Sequence, residues 1–338
     1  MSDYQLFHGD CLEVMAGMEA GSVHCVIADI PYYDIVNHSW DKQWPTMEAY
    51  QEWVAAWAVE LRRIVAHNGS IYIFTDDKVN AYVQVTLDKF FLLLNNLVWF
   101  KTNNLPIKNV YGLRTWATMT ERILFYTPQY DSTGWETVKL DVNNFEPLRE
   151  YFRQYQEAIG VSKKQIIDTV GQSADHCFRW NSTQWDLPTE ETYQQLADAF
   201  PCDFLRRDYE DLRRDYEDLR RTWNTDGNTL DVIMGSIVGA SDNTAHPTTK
   251  PLWIMKRLIT VSTNPGDTVL DFTMGSGTTI VAALHTGRKG VGVEMDESYF
   301  RIAQQRIAKA AQMADGQFVT KAGRAEDTDG LPMFGGEQ

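Results

Sequence analysis

Val23-His24-Cys25-Val26-Ile27-Ala28-Asp29-Ile30-Pro31-Tyr32 reads as a buried strand that stops at a carboxylate, a proline turn and an aromatic ring. The apolar run before Asp29 has the length of a strand and is too short for a helix. Open α/β sheets collect ligand chemistry at the carboxyl ends of their strands. The stretch therefore predicts a functional corner at Asp29–Tyr32. A plain strand-ending turn would have a similar composition, and Asp-x-Pro-Tyr alone does not separate the two readings.

A second stretch does. Thr268-Val269-Leu270-Asp271-Phe272-Thr273-Met274-Gly275-Ser276-Gly277-Thr278-Thr279 reads as strand, glycine turn and helix start. Its glycines let backbone pass close to a ligand, and Thr278 or Thr279 is suited to cap the next helix. Gly290-Val291-Gly292-Val293 is a further strand that ends at Glu294, 17 residues after Gly277. An acidic residue at about that distance from a glycine turn is placed to hold ribose hydroxyls. Asp296 then caps a helix through Tyr299-Phe300-Arg301-Ile302. The third glycine of the dinucleotide fingerprint is missing, and so is the Gly-Lys-Ser/Thr of a phosphate loop. A nucleoside without phosphates, such as S-adenosylmethionine, fits this turn better than a pyrophosphate.

Outward from these corners, residues 1–128 alternate strands and helices. Tyr4–His8, Val23–Ala28, Ser70–Phe74 after a Gly69 stop, Leu92–Trp99 and Arg122–Tyr126 read as strands, and Met47–Val65 as a helix. Residues 240–312 add two strands and three helices. Neither block makes a whole sheet, so the expectation is one α/β, doubly wound, mostly parallel Rossmann-like domain built from both. Asp29 and Gly275 would then end neighbouring strands at one crevice. Residues 129–239 form a mainly helical insertion, with short helices at Pro147–Ile159, Ser162–Val170 and Thr189–Phe200, and residues 313–338 a mobile tail. Gly160-Val161-Ser162 has the form of a helix-turn-helix turn or of a plain helical connection. Arg206-Arg207-Asp208-Tyr209-Glu210-Asp211-Leu212 is repeated identically at 213–219. Its Leu205, Tyr209, Leu212, Tyr216 and Leu219 form a heptad seam, either for packing within the domain or for a partner.

The chain has 338 residues, 43% of them hydrophobic, which suffices for one large domain plus a smaller one. No apolar run reaches membrane-spanning length, and Met1-Ser2-Asp3-Tyr4-Gln5 has no signal pattern. Four scattered cysteines suit a reduced cytoplasm and neither a zinc site nor a disulfide frame. The net charge of −15 opposes generic DNA binding. A local basic cleft is the expected remedy, drawn from Lys101, Lys108 and Arg114 and from Arg149, Arg153, Lys163, Lys164 and Arg179.

In motif content and order the chain resembles the amino-directed DNA methyltransferases of the circularly permuted β class. Asp29-Ile30-Pro31-Tyr32 comes first, then a long middle segment, then His246-Pro247-Thr248-Thr249-Lys250-Pro251, then Asp271–Thr279. The likeness spans 1–128 and 240–312 and departs from the family at Ile30, where proline is usual. It implies a DNA adenine methyltransferase, since Asp in the first motif marks adenine and Ser cytosine. It implies double-stranded DNA as partner, S-adenosyl-L-methionine as cofactor, no metal, and a homodimer as the family's common state. The middle segment and its tandem repeat look similar to those of phage or prophage solitary enzymes. Asp29 and the Ile30 carbonyl would accept the two N–H groups of the target amine, Pro31 would stiffen the turn and Tyr32 would stack on an extruded base. Asp271, Gly275 and Gly277 would frame the methionine part and Glu294 the ribose, with Phe272, Ser276 and Thr278 also in the cofactor site. Asp10 either meets the cofactor's adenine or caps a helix from Cys11. Lys250 either pairs with the methionine carboxylate or is solvated, with His246 and Thr248 on the same wall. Tyr33, Trp40 and Trp44 either meet DNA or pack. The rival enzyme reading is an amino-cytosine methyltransferase of the same fold. The rival outside enzymology is a DNA-binding regulator acting through the helical insertion.

Overall fold

The computed structural model describes residues 3–33, 43–102, 114, 116–128, 145–180, 182, 184–202, 207–219, 222–224, 229–237 and 249–320. Within them lie strands β1 (Tyr4–His8), β2 (Val23–Asp29), β3 (Val65–Thr75), β4 (Phe91–Lys101), β5 (Thr120–Pro128), β6 (Val232–Gly235), β7 (Thr268–Asp271) and β8 (Lys289–Glu294). The α-helices are α1 (Cys11–Ala16), α2 (Met47–Ile64), α3 (Asn80–Leu87), α4 (Glu146–Ile159), α5 (Lys163–Val170), α6 (Glu190–Ala199), α7 (Tyr209–Leu219), α8 (Leu252–Ser262), α9 (Thr278–His285) and α10 (Glu297–Thr320).

The strands form one sheet in the order β1-β8-β7-β2-β3-β5-β4-β6. β5 runs antiparallel to β3 and β4, and the other pairings are parallel. Side chains alternate across the sheet with period two. Val26, Ala28, Ile71, Ile73, Leu124 and Tyr126 therefore share a core with α1–α3, around Met15, Trp57 and Val83. Their sequence neighbours Cys25, Ile27, Tyr72, Phe74, Ile123 and Phe125 meet α8 and α9 on the other face, at Ile254, Ile259 and Ala282. Strands buried on both faces explain the uninterrupted apolar runs. Helices on both faces make the sheet doubly wound, as expected.

The helical segment has its own core, with Phe152, Tyr155, Ile166, Phe178, Leu196 and Leu212 buried together. Gly160 ends α4 at φ +67°, a conformation that favours glycine. Ser162 opens α5 in a capping box with Gln165. Tyr209, Leu212, Tyr216 and Leu219 of α7 all turn into this core. Tyr216 stacks on Phe145 with ring centroids 4.8 Å apart. The repeat's seam therefore packs within the domain; Leu205 lies outside the described residues.

The structure departs from the sequence reading in three places. β6 lies inside the stretch expected to be insertion, because Val232–Gly235 pairs in parallel with Val98–Lys101 of β4. Gly69, expected as a stop, lies inside β3; a Cβ there would sit 2.9 Å from the Ala66 carbonyl oxygen. The last helix runs past 312, to Thr320. No helix among the described residues is long and apolar enough to cross a membrane.

Leu212 is fully buried, so Leu212→Ala should destabilise the helical segment by about 2–5 kcal/mol, read by urea unfolding or limited proteolysis. Unchanged unfolding accompanied by loss of an oligomer would instead place the seam against a partner.

Candidate active site

β2 and β7 pair in parallel, Cys25 opposite Val269 and Val26 opposite Leu270, so the two corners leave the same end of the sheet side by side. Thr273 Oγ1 ties them together by donating to the Asp29 carbonyl at 3.3 Å.

The glycine turn is fixed from several directions. Thr273 N donates to Asp271 Oδ1 at 3.2 Å, and Gly275 N to Glu294 Oε2 at 2.9 Å. Arg306 Nη1, from α10, donates to the Ser276 carbonyl at 2.6 Å and to its hydroxyl at 2.9 Å. Gly277 stands at φ +81°, and a Cβ there would lie 2.7 Å from Ile307 Cδ1. This glycine holds the N-cap position of α9 with no side-chain bond, so neither Thr278 nor Thr279 is the cap. The Thr279 side chain hydrogen-bonds Asp271 instead.

At the other corner, Tyr50 Oη donates to the Pro31 carbonyl at 2.8 Å and anchors the turn to α2. The Ile30 side chain is buried in the α1–α3 core. The Tyr32 hydroxyl donates to Asp29 Oδ1. Lys250 Nζ donates to Asp29 Oδ2 at 2.6 Å and to Tyr32 Oη at 3.2 Å, and lies 3.3 Å from Glu121 Oε2. Glu121 Oε1 is held by Lys101 Nζ at 2.5 Å. Lys250 is thus hydrogen-bonded to Asp29 and Tyr32 and paired in charge with Glu121.

A cavity of about 610 Å³ runs between the corners. Asp10, Asp29, Asp76, Asp271, Glu294 and Asp296 bring six carboxylates to its wall, and Lys250 is the one basic side chain among its described lining residues. Of the expected site residues, Ile30, Pro31, Tyr32, Phe272, Gly275, Ser276 and Thr278 also line it. Gly277 does not line it; it shapes the turn from behind. His246 and Thr248 lie outside the described residues, as do Trp40 and Lys108. Asp10 caps α1, its Oδ1 accepting from Leu12 N at 2.7 Å, and it also lines the cavity. Tyr33 and Trp44 pack on Tyr50. Glu121 and Asp76 escaped the sequence reading, and Lys101 was read as part of a DNA cleft, not of this site. Nothing local marks them; the order of β3, β5 and β4 brings them in.

The expected basic cleft is not built as foreseen. Arg149 is buried and donates to the Trp180 and Ser182 carbonyls. Arg153 pairs with Glu146 and Glu150, while Lys163 and Arg179 pair with Asp175. Lys101 is committed to Glu121. Local acids neutralise all of these cations but Arg149, which is spent on carbonyls; Arg114 and Lys164 remain exposed.

Comparison with known proteins places the chain in a family. The N6/N4 family model, described as DNA methylase, matches residues 23–305. The chain belongs to the N6/N4 DNA methylase family. The methylase is 25% identical over 312 residues to the DNA adenine methyltransferase YhdJ of Escherichia coli K12, covering 90% of this chain and 83% of that one. Its fold resembles that of a DNA modification methylase from Thermus thermophilus complexed with S-adenosyl-L-methionine, at TM-score 0.51 and 19% identity over 91% of this chain and 96% of that one. The PvuII cytosine-N4-specific DNA methyltransferase gives TM-score 0.53 at 14% identity, with 93% of each chain covered.

The wall's acidity leaves a mark on titration. Burial pushes the Asp271 carboxyl up to about 7; the Thr279 hydroxyl and Thr273 N–H only partly offset it, and Asp29 and Glu294 add repulsion. Burial also raises Glu294, despite backbone N–H groups from Asp296 and Gly275. A carboxyl raised on folding binds its proton more tightly in the native state. Its contribution to stability is whole below the unfolded pKa and is lost as pH climbs towards 7. Asp271→Asn should therefore stabilise the ligand-free methylase at pH 8 relative to wild type and make little difference near pH 4. The pH-dependent gain should be of order 1.4 kcal/mol for each tenfold difference in proton affinity between the folded and unfolded carboxyl, read from denaturant unfolding at both pH values.

Proposed function

We propose that this methylase is a site-specific DNA adenine methyltransferase that uses S-adenosyl-L-methionine and acts on the exocyclic amine of an adenine extruded from the duplex. The observation that carries the reading is the Asp29 carboxylate at the lip of an acid-lined cavity, tied through Thr273 to the glycine turn.

The wall suits a cationic nucleoside. Among the described lining residues, six carboxylates against one ammonium would repel a phosphate and attract a sulfonium. Each Glu294 oxygen already accepts one backbone N–H, Oε2 from Gly275 and Oε1 from Asp296. A carboxylate oxygen has a second lone pair, so Glu294 is fixed in aim and still able to accept from ribose hydroxyls. Gly275, Ser276, Asp271 and Thr278 would hold the methionine end, and Asp10 the adenine end. When bound, the cofactor supplies a methyl group on a positively charged sulfur.

The protein's part is orientation and charge. An adenine amine is a poor nucleophile because its lone pair is delocalised into the ring. Asp29 accepts one amine N–H and the Ile30 carbonyl the other, which favours a tetrahedral nitrogen with its lone pair directed along the cavity. Pro31, held by Tyr50, keeps that pair of acceptors rigid. Tyr32 offers a ring face to the base. Once methylated, the nitrogen is cationic, and its proton passes to Asp29. The adenine assignment draws support from Asp, not Ser, at position 29, and from the name of the Escherichia coli relative.

Tritium transfer from labelled S-adenosylmethionine to unmethylated DNA should fall by about 10³-fold in Asp29→Asn, with cofactor binding retained. Digestion of the product DNA should yield N6-methyladenine. Full transfer by Asp29→Asn would overturn the mechanism, and N4-methylcytosine would overturn the base.

A further inference from the structure

Asp29 must accept an amine N–H, and although each of its oxygens keeps a second lone pair, both already hold a donor, Tyr32 on Oδ1 and Lys250 on Oδ2, and these draw off the charge that the amine needs. A neutral amine competes poorly with an ammonium at 2.6 Å, because charge-assisted hydrogen bonds are roughly twice as strong as neutral ones. Lys250 cannot simply withdraw to water, since its side chain is only 7% exposed. An unpaired buried cation would cost several kcal/mol. The ammonium needs a second anion within reach.

Glu121 is that anion. Its Oε2 atom is buried and makes no hydrogen bond in this structure, although Lys250 Nζ stands only 3.3 Å away. Its other oxygen is pinned by Lys101 at 2.5 Å, so the carboxylate cannot rotate out of line. A movement of about half an ångström would give Lys250 and Glu121 full charge-assisted contact. We infer that Lys250 is a displaceable counter-ion, seated on Asp29 until the target amine arrives and on Glu121 while the amine is held. Glu121 is thus a positioning residue that acts through Lys250, and Lys101 fixes its aim. The inference rests on the amine-acceptor role of Asp29 given above.

The arrangement also bears on the charge of Asp29. That carboxyl faces Lys250 from the segment before α8, Glu121 from β5, Tyr32 from its own turn and Asp271 from β7, with Asp76 close to Tyr32. Burial raises it, Lys250 opposes the rise and Glu121 adds to it. For Lys250 burial works against the charge, but Asp29 and Glu121 outweigh it and hold the ammonium protonated. A cation that moves only from one neighbour to the other stays close enough to keep Asp29 ionised.

A double-mutant cycle on the full chain tests this, using labelled S-adenosylmethionine and unmethylated DNA of mixed sequence. Glu121→Gln strands the ammonium on Asp29 and should lower kcat by about tenfold. Lys250→Met removes both the competitor and the counter-ion, so the acid limb of its kcat profile should move to higher pH while alkaline activity is retained. In the Lys250→Met background, adding Glu121→Gln should cause no further loss of kcat at alkaline pH, because the ammonium that Glu121 positions is gone and its direct repulsion of Asp29 can only hinder ionisation. Cofactor Kd, measured by calorimetry, should stay within about twofold in all three variants, which also certifies an intact pocket. Equal losses from Glu121→Gln in both backgrounds, or wild-type kcat in that variant, would overturn the inference. So would a roughly tenfold weaker cofactor Kd in Lys250→Met, which would assign the ammonium to the methionine carboxylate. Asp29→Asn separates the two levels: if it stays inactive while the cycle is additive, the acceptor role stands and only the counter-ion role falls.

Discussion

The parallel pairing of β2 with β7 is the constraint on which the site depends. Two strands that are distant in sequence become hydrogen-bonded neighbours, and strand spacing in a sheet is only about 4.8 Å. Whatever leaves their carboxyl ends is therefore within the reach of one small molecule. Asp29 and the Asp271–Gly277 turn need no long-range tuning to meet; the ladder imposes it. The register must still be right, since a slip of one residue would turn Asp29 to the other face of the sheet. Burial of Val26 and Ala28 on one side and Cys25 and Ile27 on the other locks the register from both faces.

Around this frame the protein accepts unfavourable electrostatics. Among the described residues, six acids share one cavity wall with a single ammonium. Three of them, Asp29, Asp271 and Glu294, are raised by their own burial. Such crowding makes poor sense as scaffolding and good sense as a receptor for positive charge. Glu121 behaves oppositely: burial works to raise it, but Lys250 and Lys101 outweigh that and hold it ionised. The site therefore contains acids that differ in proton affinity because their partners differ.

The sheet was largely legible in the sequence because its strands are short apolar runs whose ends carry Asp, Gly or Pro. The helices at Glu146–Ile159, Lys163–Val170 and Glu190–Ala199 were legible through their caps, as with Ser162 and Thr189. β6 was not, because a four-residue edge strand with Val232 and Met234 exposed has no burial pattern to announce it. The individual site residues on the two corners were readable from local motifs. The Glu121–Lys250–Asp29 contacts were not, because they join β5, a loop and β2, and only the strand order reveals that these converge. Composition misled in one respect: the sequence lists cations but does not show which acids lie beside them, and Asp175 alone takes up two of those proposed for DNA.

The tandem copy at Arg206–Leu219 has a simple geometric reading. Seven residues make nearly two turns of α-helix, and each such step rotates the pattern by only about 20°. A copied heptad therefore offers the same core the same pair of side chains, first Tyr209 and Leu212, then Tyr216 and Leu219. Lengthening the helix by two or five residues would have swung its greasy stripe by about 140° or more, into water. Here growth by duplication was close to silent: the helix gained reach across its neighbours, and the surface it presents to them did not have to be reinvented.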